Sequence, residues 1–335
     1  MKHLKLVFFF ACSVFLFAGF NIIQQSTSSV SPDELRTWIQ YLASDEMRGR
    51  ANGSPETKIA ANWIAEKFKE YGVVPLSKED NYIYDYTYTS RQRTINERNV
   101  IGMIRGTKSG LRDQYLVISA HFDHVGVRKG PEPDSIYNGA DDNAAGTCTL
   151  IGIAKTIKDM KLKPGRTLIF AAFSGEENGM RGSRHFVANP PIPLKDIYAD
   201  INFEMIGHSE YLGKNNYYMT GCNVSNLDDQ IQKYNENTGF KLIDTISMAR
   251  NLFYASDNIS FSRISVSNGV ATGIPSGTFA TTTMASYIHS PNDEAEFFDF
   301  DNMANLVNYF SKLIIWLSQN KSDLTWTDPQ FTKLK

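Results

Sequence analysis

Four short apolar runs constrain this chain most: NVIGMI (99–104), YLVISA (115–120), TLIFAAF (167–173) and YADINF (198–203). Short and apolar, they read as buried strands of a largely parallel sheet. Helical patterns surround them. SPDEL opens one helix, with Ser31 as N-cap and Pro32 at the first helical position. Residues 55–71 carry Ile59, Ala60, Trp63, Ile64 and Phe68 at helical spacing, and Gly72 can end that helix. Residues 144–158 are helical, and Met303, Leu306, Val307, Phe310, Leu313, Ile314 and Leu317 form the stripe of a last amphipathic helix. The alternation predicts an α/β fold. Residues 31–319 contain no low-complexity linker or repeat, so one domain is expected there, with a polar surface tail over 320–335.

The N-terminus stands apart. Lys2, His3 and Lys5 precede an apolar run from Leu6 to Phe20, and polar residues follow. That is the layout of a secretory signal peptide over residues 1–20, with no A-x-A pattern to fix the cleavage point. The run is short of the roughly 20 residues of a spanning helix, so no stable membrane insertion is expected once the leader is removed. An uncleaved anchor is the alternative. Cys12 follows Phe10 and Ala11, but the apolar residues beyond it argue against acylation. A secreted or periplasmic chain would keep Cys148 and Cys222. Two cysteines make no disulfide framework. Cys148 lies in an apolar helical pattern and reads as a buried free thiol, with a 148–222 bridge as the alternative. The net charge of −2 and the absence of a basic block give no case for a nucleic-acid partner.

Polar clusters lie just past the apolar runs, at the sheet edge where open α/β folds bind ligands. SAHFDHVG (119–126), FSGEENGMRGS (173–183) and NFEMIGH (202–208) follow strands. NGADDNAAG (138–146) enters a helix, and YIHSPND (287–293) precedes the last one. Each alone has an ordinary explanation as a strand-end histidine, a turn or a solvated helix face. Together they supply imidazoles and carboxylates suited to Zn²⁺ without any cysteine. A metal also offsets the cost of burying several carboxylates.

The chain resembles the clan MH zinc exopeptidases, which include secreted bacterial aminopeptidases, glutamate carboxypeptidases and glutaminyl cyclases. The resemblance starts at LASDEMRGRANGSPE (42–56) and runs through NVIG, HFDHVG, NGADDNAAG, GEENGMRGS, NFEMIG and HSPND in order. It implies a three-layer domain whose central, mostly parallel mixed sheet is flanked by helices. It also implies two Zn²⁺ ions. His121 and Glu204 would hold the first, Glu177 and His289 the second, and Asp142 would bridge them. The Asp142–Asn143 peptide would be cis. Asp123 would orient His121 by accepting its other N–H. Glu176 would be the general base, and only the resemblance separates its role from that of Glu177.

Two departures stand out. Glu204 replaces the family's usual aspartate, which leaves a single-zinc site as an alternative. Tyr287 is separated from His289 by Ile288, where the family commonly has tyrosine directly before histidine. His124 and His208 match no ligand position and read as structural or as supports to the ligands, and Asp141 reads as a turn residue. Ser256, Asp257 and Tyr287 are expected to line the substrate pocket, although a Ser/Asp helix cap explains the first two equally well. The leading expectation is hydrolysis of peptides from their N-termini, with peptides as the partner. A glutamate-releasing carboxypeptidase is the runner-up, and Arg250 and Arg263 are its candidate carboxylate binders. A glutaminyl cyclase and a non-catalytic binding ectodomain are further alternatives.

Overall fold

The computed structural model describes residues 30–76, 81–129, 133–283 and 286–334. The leader expected over residues 1–20 lies outside them. Helix α1 (Pro32–Leu42) begins as read. Ser31 Oγ accepts the Glu34 N–H, and the Glu34 carboxylate accepts the Ser31 N–H at 2.9 Å. This reciprocal cap satisfies two N–H groups that a helix start leaves free. Helix α2 (Pro55–Glu70) is capped by Ser54, and the chain turns out of it at Gly72, whose φ is 77°.

The four apolar runs lie in a nine-stranded mixed sheet. Its strands are β1 (Val74–Pro75), β2 (Ile83–Ser90), β3 (Arg93–Ile104), β4 (Tyr115–His121), β5 (Thr167–Phe173), β6 (Ile197–Phe203), β7 (Asn216–Met219), β8 (Lys241–Ile243) and β9 (Ser276–Ala280). The order is β1-β3-β5-β4-β6-β9-β7-β8, with β2 hairpinned onto β3. The centre β5-β4-β6-β9 is parallel, and the strands beyond it include antiparallel pairs.

Burial explains the apolar runs. Every residue of β5 and β6 is buried, and all of β4 except Tyr115. Leu116, Ile118, Leu168 and Phe170 pack into one core with α1, α2, α3 (Gly146–Asp159) and the last helix, Phe300–Gln319. Val117, Ile169 and Phe173 face the opposite way, against Phe186 of Arg181–Ala188 and Phe261 of Asn258–Ser262. Helices therefore cover both faces, giving three layers.

The expectation of a surface tail needs correction. Leu324 and Phe331 are buried, and Phe331–Lys333 pairs with Val270–Gly273. Cys148 is buried, Cys222 is half-buried, and both are free thiols. Among the described residues no helix is long and apolar enough to cross a membrane.

Candidate metal centre

Three of the expected ligands sit where three adjacent parallel strands end. His121 is the last residue of β4, Glu204 directly follows β6, and the Ser174–Glu177 turn follows β5. The fourth, Asp142, lies in the turn that enters α3, and its peptide bond to Asn143 is cis. The Asp293 carboxylate holds this turn, accepting the N–H groups of Asp141 at 2.7 Å and Asp142 at 3.0 Å. The Asn143 side chain ties it to the end of β6, donating to Phe203 O at 2.9 Å.

Arg50 joins the same region from outside the sheet. Its buried guanidinium donates to the carbonyls of Phe122 at 2.8 Å, Asn138 at 2.8 Å, Gly139 at 2.9 Å and Leu42. One side chain thereby fixes the backbone beside His121 and the backbone leading to Asp142. Burial lowers the Arg50 pKa to about 10, against the pull of Asp293 and Asp123.

Asp142 faces two separate sets of donors. Its Oδ1 lies 3.3 Å from His121 Nε2, which is 3.6 Å from Glu204 Oε1. Its Oδ2 lies 3.1 Å from His289 Nε2 and 3.8 Å from His124 Nδ1. Glu177 Oε1 completes the second set, 2.9 Å from His289 Nε2 and 3.0 Å from His124 Nδ1. Tetrahedral donors about 2.0–2.1 Å from one ion lie roughly 3.3 Å apart. The second set has the spacing of donors that share a cation, and on the first side His121 Nε2 lies within that range of both carboxylates. His124, Asp142, Glu177 and His289 form one group of mutually close metal-ligating atoms.

Unmet polar atoms point the same way. Glu177 Oε1 and both ring nitrogens of His124 are buried without a hydrogen-bond partner among the described residues. Leaving such atoms unmet costs about 1–3 kcal/mol each, and a cation between Glu177 Oε1 and His124 Nδ1 removes that cost for those two. Charges are already skewed in the bare chain. Burial works against ionising Asp142, but His121 and His289 outweigh it and hold its carboxyl well below the usual range. Burial would lower the His121 pKa, yet Asp142, Glu176 and Glu204 raise it well above the ordinary value. Burial pushes Glu204 up to about 7.

The supports differ in part from expectation. His121 Nδ1 faces the main-chain carbonyl of Asp123 at 3.2 Å, whereas the Asp123 carboxylate is 3.8 Å away. That carboxylate instead accepts the N–H groups of Glu176 at 3.2 Å and Glu177 at 3.3 Å. It positions the paired glutamates rather than the imidazole. His124, read from sequence as a support, stands among the donors. Asp141 is more than a turn residue: Gly207 N–H and Tyr287 O–H both donate to it, at 3.0 and 2.9 Å. His208 packs against Tyr287 with ring centroids 5.1 Å apart.

A cavity of about 290 Å³ opens beside these groups, lined by His121, Asp142, Glu176, Glu204 and His289 at its polar end. Met205, Leu252, Ala255, Ala280 and Ile288 supply apolar wall, joined by Tyr218, Thr220, Ser256 and Thr278. Of the three expected lining residues only Ser256 is there, donating from Oγ to Glu204 Oε1. Asp257 is buried behind it, accepting from Ser183 at 2.5 Å, and Tyr287 is turned toward Asp141. Sequence reading missed the apolar wall, whose residues come from four separate segments. A larger groove lined by Arg184, Tyr254, Ile259 and Arg263 carries none of the clustered donors.

The model of peptidase family M28 matches residues 99–314, a span that holds every donor described above. The chain belongs to peptidase family M28. One M28 relative, a probable leucine aminopeptidase of Trichophyton verrucosum, is 26% identical over 208 residues, covering 60% of this chain and 53% of its own. A glutamate carboxypeptidase 2 homolog of Caenorhabditis elegans is 37% identical over 176 residues, 51% of this chain and 21% of its own. The chain thus spans about half the length, or less, of these curated relatives. The LapA aminopeptidase of Legionella pneumophila superposes with a TM-score of 0.63 at 18% identity, covering 96% of this chain and 81% of that one. At that identity the likeness shows the shared fold.

Proposed function

We propose that this M28 chain is a zinc-dependent aminopeptidase that releases N-terminal residues from peptides using two Zn²⁺ ions. The observation that carries the reading is the Asp142 carboxylate, whose two oxygens face two different donor sets. His121 and Glu204 would hold one ion, Glu177 and His289 the other, and Asp142 both. When bound, the metals would polarise the scissile carbonyl and acidify an attacking water.

The chain's own part is proton handling and placement. Glu176 lines the cavity beside both donor sets. Burial pushes its carboxyl well above the usual range, and although His121 pulls it down, Glu204, Asp257 and Glu177 add to the rise. Glu176 faces the cavity and belongs to neither donor set, which supports the role of general base. It accepts the water proton as the carbonyl carbon is attacked, then delivers it to the departing amine nitrogen. Asp123 holds the Glu176 and Glu177 main chain, and Ser256 and Asn202 hydrogen-bond to Glu204.

The lining favours an N-terminal substrate over a C-terminal one. Among the described residues it contains no arginine or lysine to hold a substrate's terminal carboxylate. The two arginines available to a carboxypeptidase are elsewhere. Arg250 pairs with Asp328 at 3.6 Å, and Arg263 lines the separate groove. The apolar wall suits an apolar first side chain. The charged start and apolar run of residues 2–20 support export by a signal peptide.

The deciding experiment incubates the zinc-loaded protein with a peptide library and reads products by mass spectrometry. Loss of N-terminal residues, blocked by N-acetylation, is the expected result. Loss of C-terminal residues, or cleavage indifferent to acetylation, refutes the aminopeptidase reading.

A further inference from the structure

We infer that His124 is itself a ligand of the second metal, so that the two metal subsites are unequal. The inference rests on the two-metal reading above. On the second side the donors are Asp142 Oδ2, Glu177 Oε1, His289 Nε2 and His124 Nδ1. On the first they are His121 Nε2, Asp142 Oδ1 and Glu204 Oε1.

The position of His124 points to a ligand more than to an ordinary core residue, with Nδ1 3.0 Å from Glu177 Oε1. Its side chain is fully buried, and neither ring nitrogen has a hydrogen-bond partner among the described residues. An imidazole whose task was packing would leave Nδ1 unmet beside Glu177 Oε1, at about 1–3 kcal/mol, a cost that a cation shared with Glu177 offsets. The ring is also held in place. His124 N–H donates to Arg50 O at 3.3 Å, and residue 124 bridges to Ala51. Gly139 lies against the Cγ–Cδ2 edge so closely that a Cβ there would collide with the ring. That contact leaves Nδ1 directed at Glu177 and Asp142. The His289 ring meets it edge to face, centroids 5.5 Å apart, so the two imidazoles converge on the same carboxylates from different directions.

The donor counts imply a division of labour. Four protein donors close a tetrahedral zinc site, whereas three leave a position for water or substrate. The second subsite is therefore the closed one, retained for structure and charge. Both subsites border the cavity, and the first, with three donors, would keep the position that meets the substrate. His124 is absent from the cavity lining, as a ligand behind a closed ion would be.

The test has two readouts that do not depend on turnover. X-ray absorption on the unmodified, fully zinc-loaded chain counts imidazoles, and three shared by two metals are expected. Two would overturn the assignment. In His124→Gln, chelator competition should show one zinc equivalent weakened about a hundredfold or more, with the other unchanged within about threefold. Two equivalents bound as in the parent would also overturn it. Should the parent bind no zinc after resupply, the two-metal reading fails as a whole. Two tightly held zincs with only two imidazoles would remove His124 alone.

Discussion

The two donor sets share Asp142 but are built on different ground. The first stands on strand ends. His121 closes β4 and its side chain is 2% exposed, and Glu204 follows β6 with Ser256 and Asn202 bonded to it. The second is assembled from turns and a loop. Glu177 sits in the turn after β5, and His289 arrives from a loop with a left-handed φ of 55° and a side chain 47% exposed. Strand ends are placed by the hydrogen-bond ladder of the sheet, and loop donors by a few side-chain contacts. The contrast teaches that one subsite comes with the fold, whereas the other depends on supports that can be removed singly.

Glu176 belongs to neither set, and its loss should give the largest effect. Glu176→Gln should lower kcat by about 10²–10⁴-fold, since only proton transfer is removed. Zinc content, read by plasma emission, should stay at the parent value. A fall in zinc would place Glu176 among the ligands and erase its separation from both sets. Next comes Arg50, which serves both sets at once. Arg50→Ala orphans four buried carbonyls, a cost of about 3 kcal/mol or more in urea unfolding of the metal-free protein. Both zinc equivalents should weaken together. Weakening of one alone would mean that the sets do not share this brace.

A smaller effect separates the sets. The Asp123 carboxylate accepts one N–H from Glu176 on Oδ1 and one from Glu177 on Oδ2. Asparagine can accept on one side only. Asp123→Asn should lower kcat by about 10–100-fold through the glutamate turn. The affinity for the first zinc should be nearly unchanged, because His121 Nδ1 faces the Asp123 carbonyl, which the substitution keeps. Loss of both metals in chelator titration would restore the role first expected for this carboxylate.

The same contrast explains what could be read from sequence. Donors at or just past strand ends, Glu177 of the second set included, lie in short contiguous motifs that follow apolar runs, so HFD, GEEN and NFE stood out with their strands. The three-layer fold was legible for the same reason, because strands covered on both faces are mostly apolar. What was hidden depends on partners distant in the chain. Arg50 and Asp293 bind backbone groups, which carry no residue identity to match. The cavity wall is scattered over Met205, Leu252, Ala255, Ala280 and Ile288. His124 is three residues beyond His121 and just past the strand, where periodicity no longer says which way a side chain points. The C-terminal segment docks through Leu324 and Phe331, too sparse an apolar pattern to announce a strand.

Tyr287 offers the smallest effect and the finest discrimination. From sequence it was a candidate for the pocket wall, two residues before His289. In the structure its hydroxyl donates to Asp141 at 2.9 Å, and its ring packs on His208. Asp141 also accepts Gly207 N–H, and burial pushes its carboxyl up to about 6 despite the opposing pull of His208 and these hydrogen bonds. Tyr287 thus braces the loop that delivers the exposed histidine, without lining the cavity. Tyr287→Phe keeps the ring and deletes one hydrogen bond, so unfolding experiments should show a loss of about 1 kcal/mol. The KM for a short peptide should not move, and kcat should fall by less than about tenfold, since 1.4 kcal/mol is a full decade. A larger fall in kcat with stability intact would put the hydroxyl at the reacting atoms. The loop-built subsite would then carry chemistry as well as a ligand, and the contrast with the strand-built one would have to be redrawn.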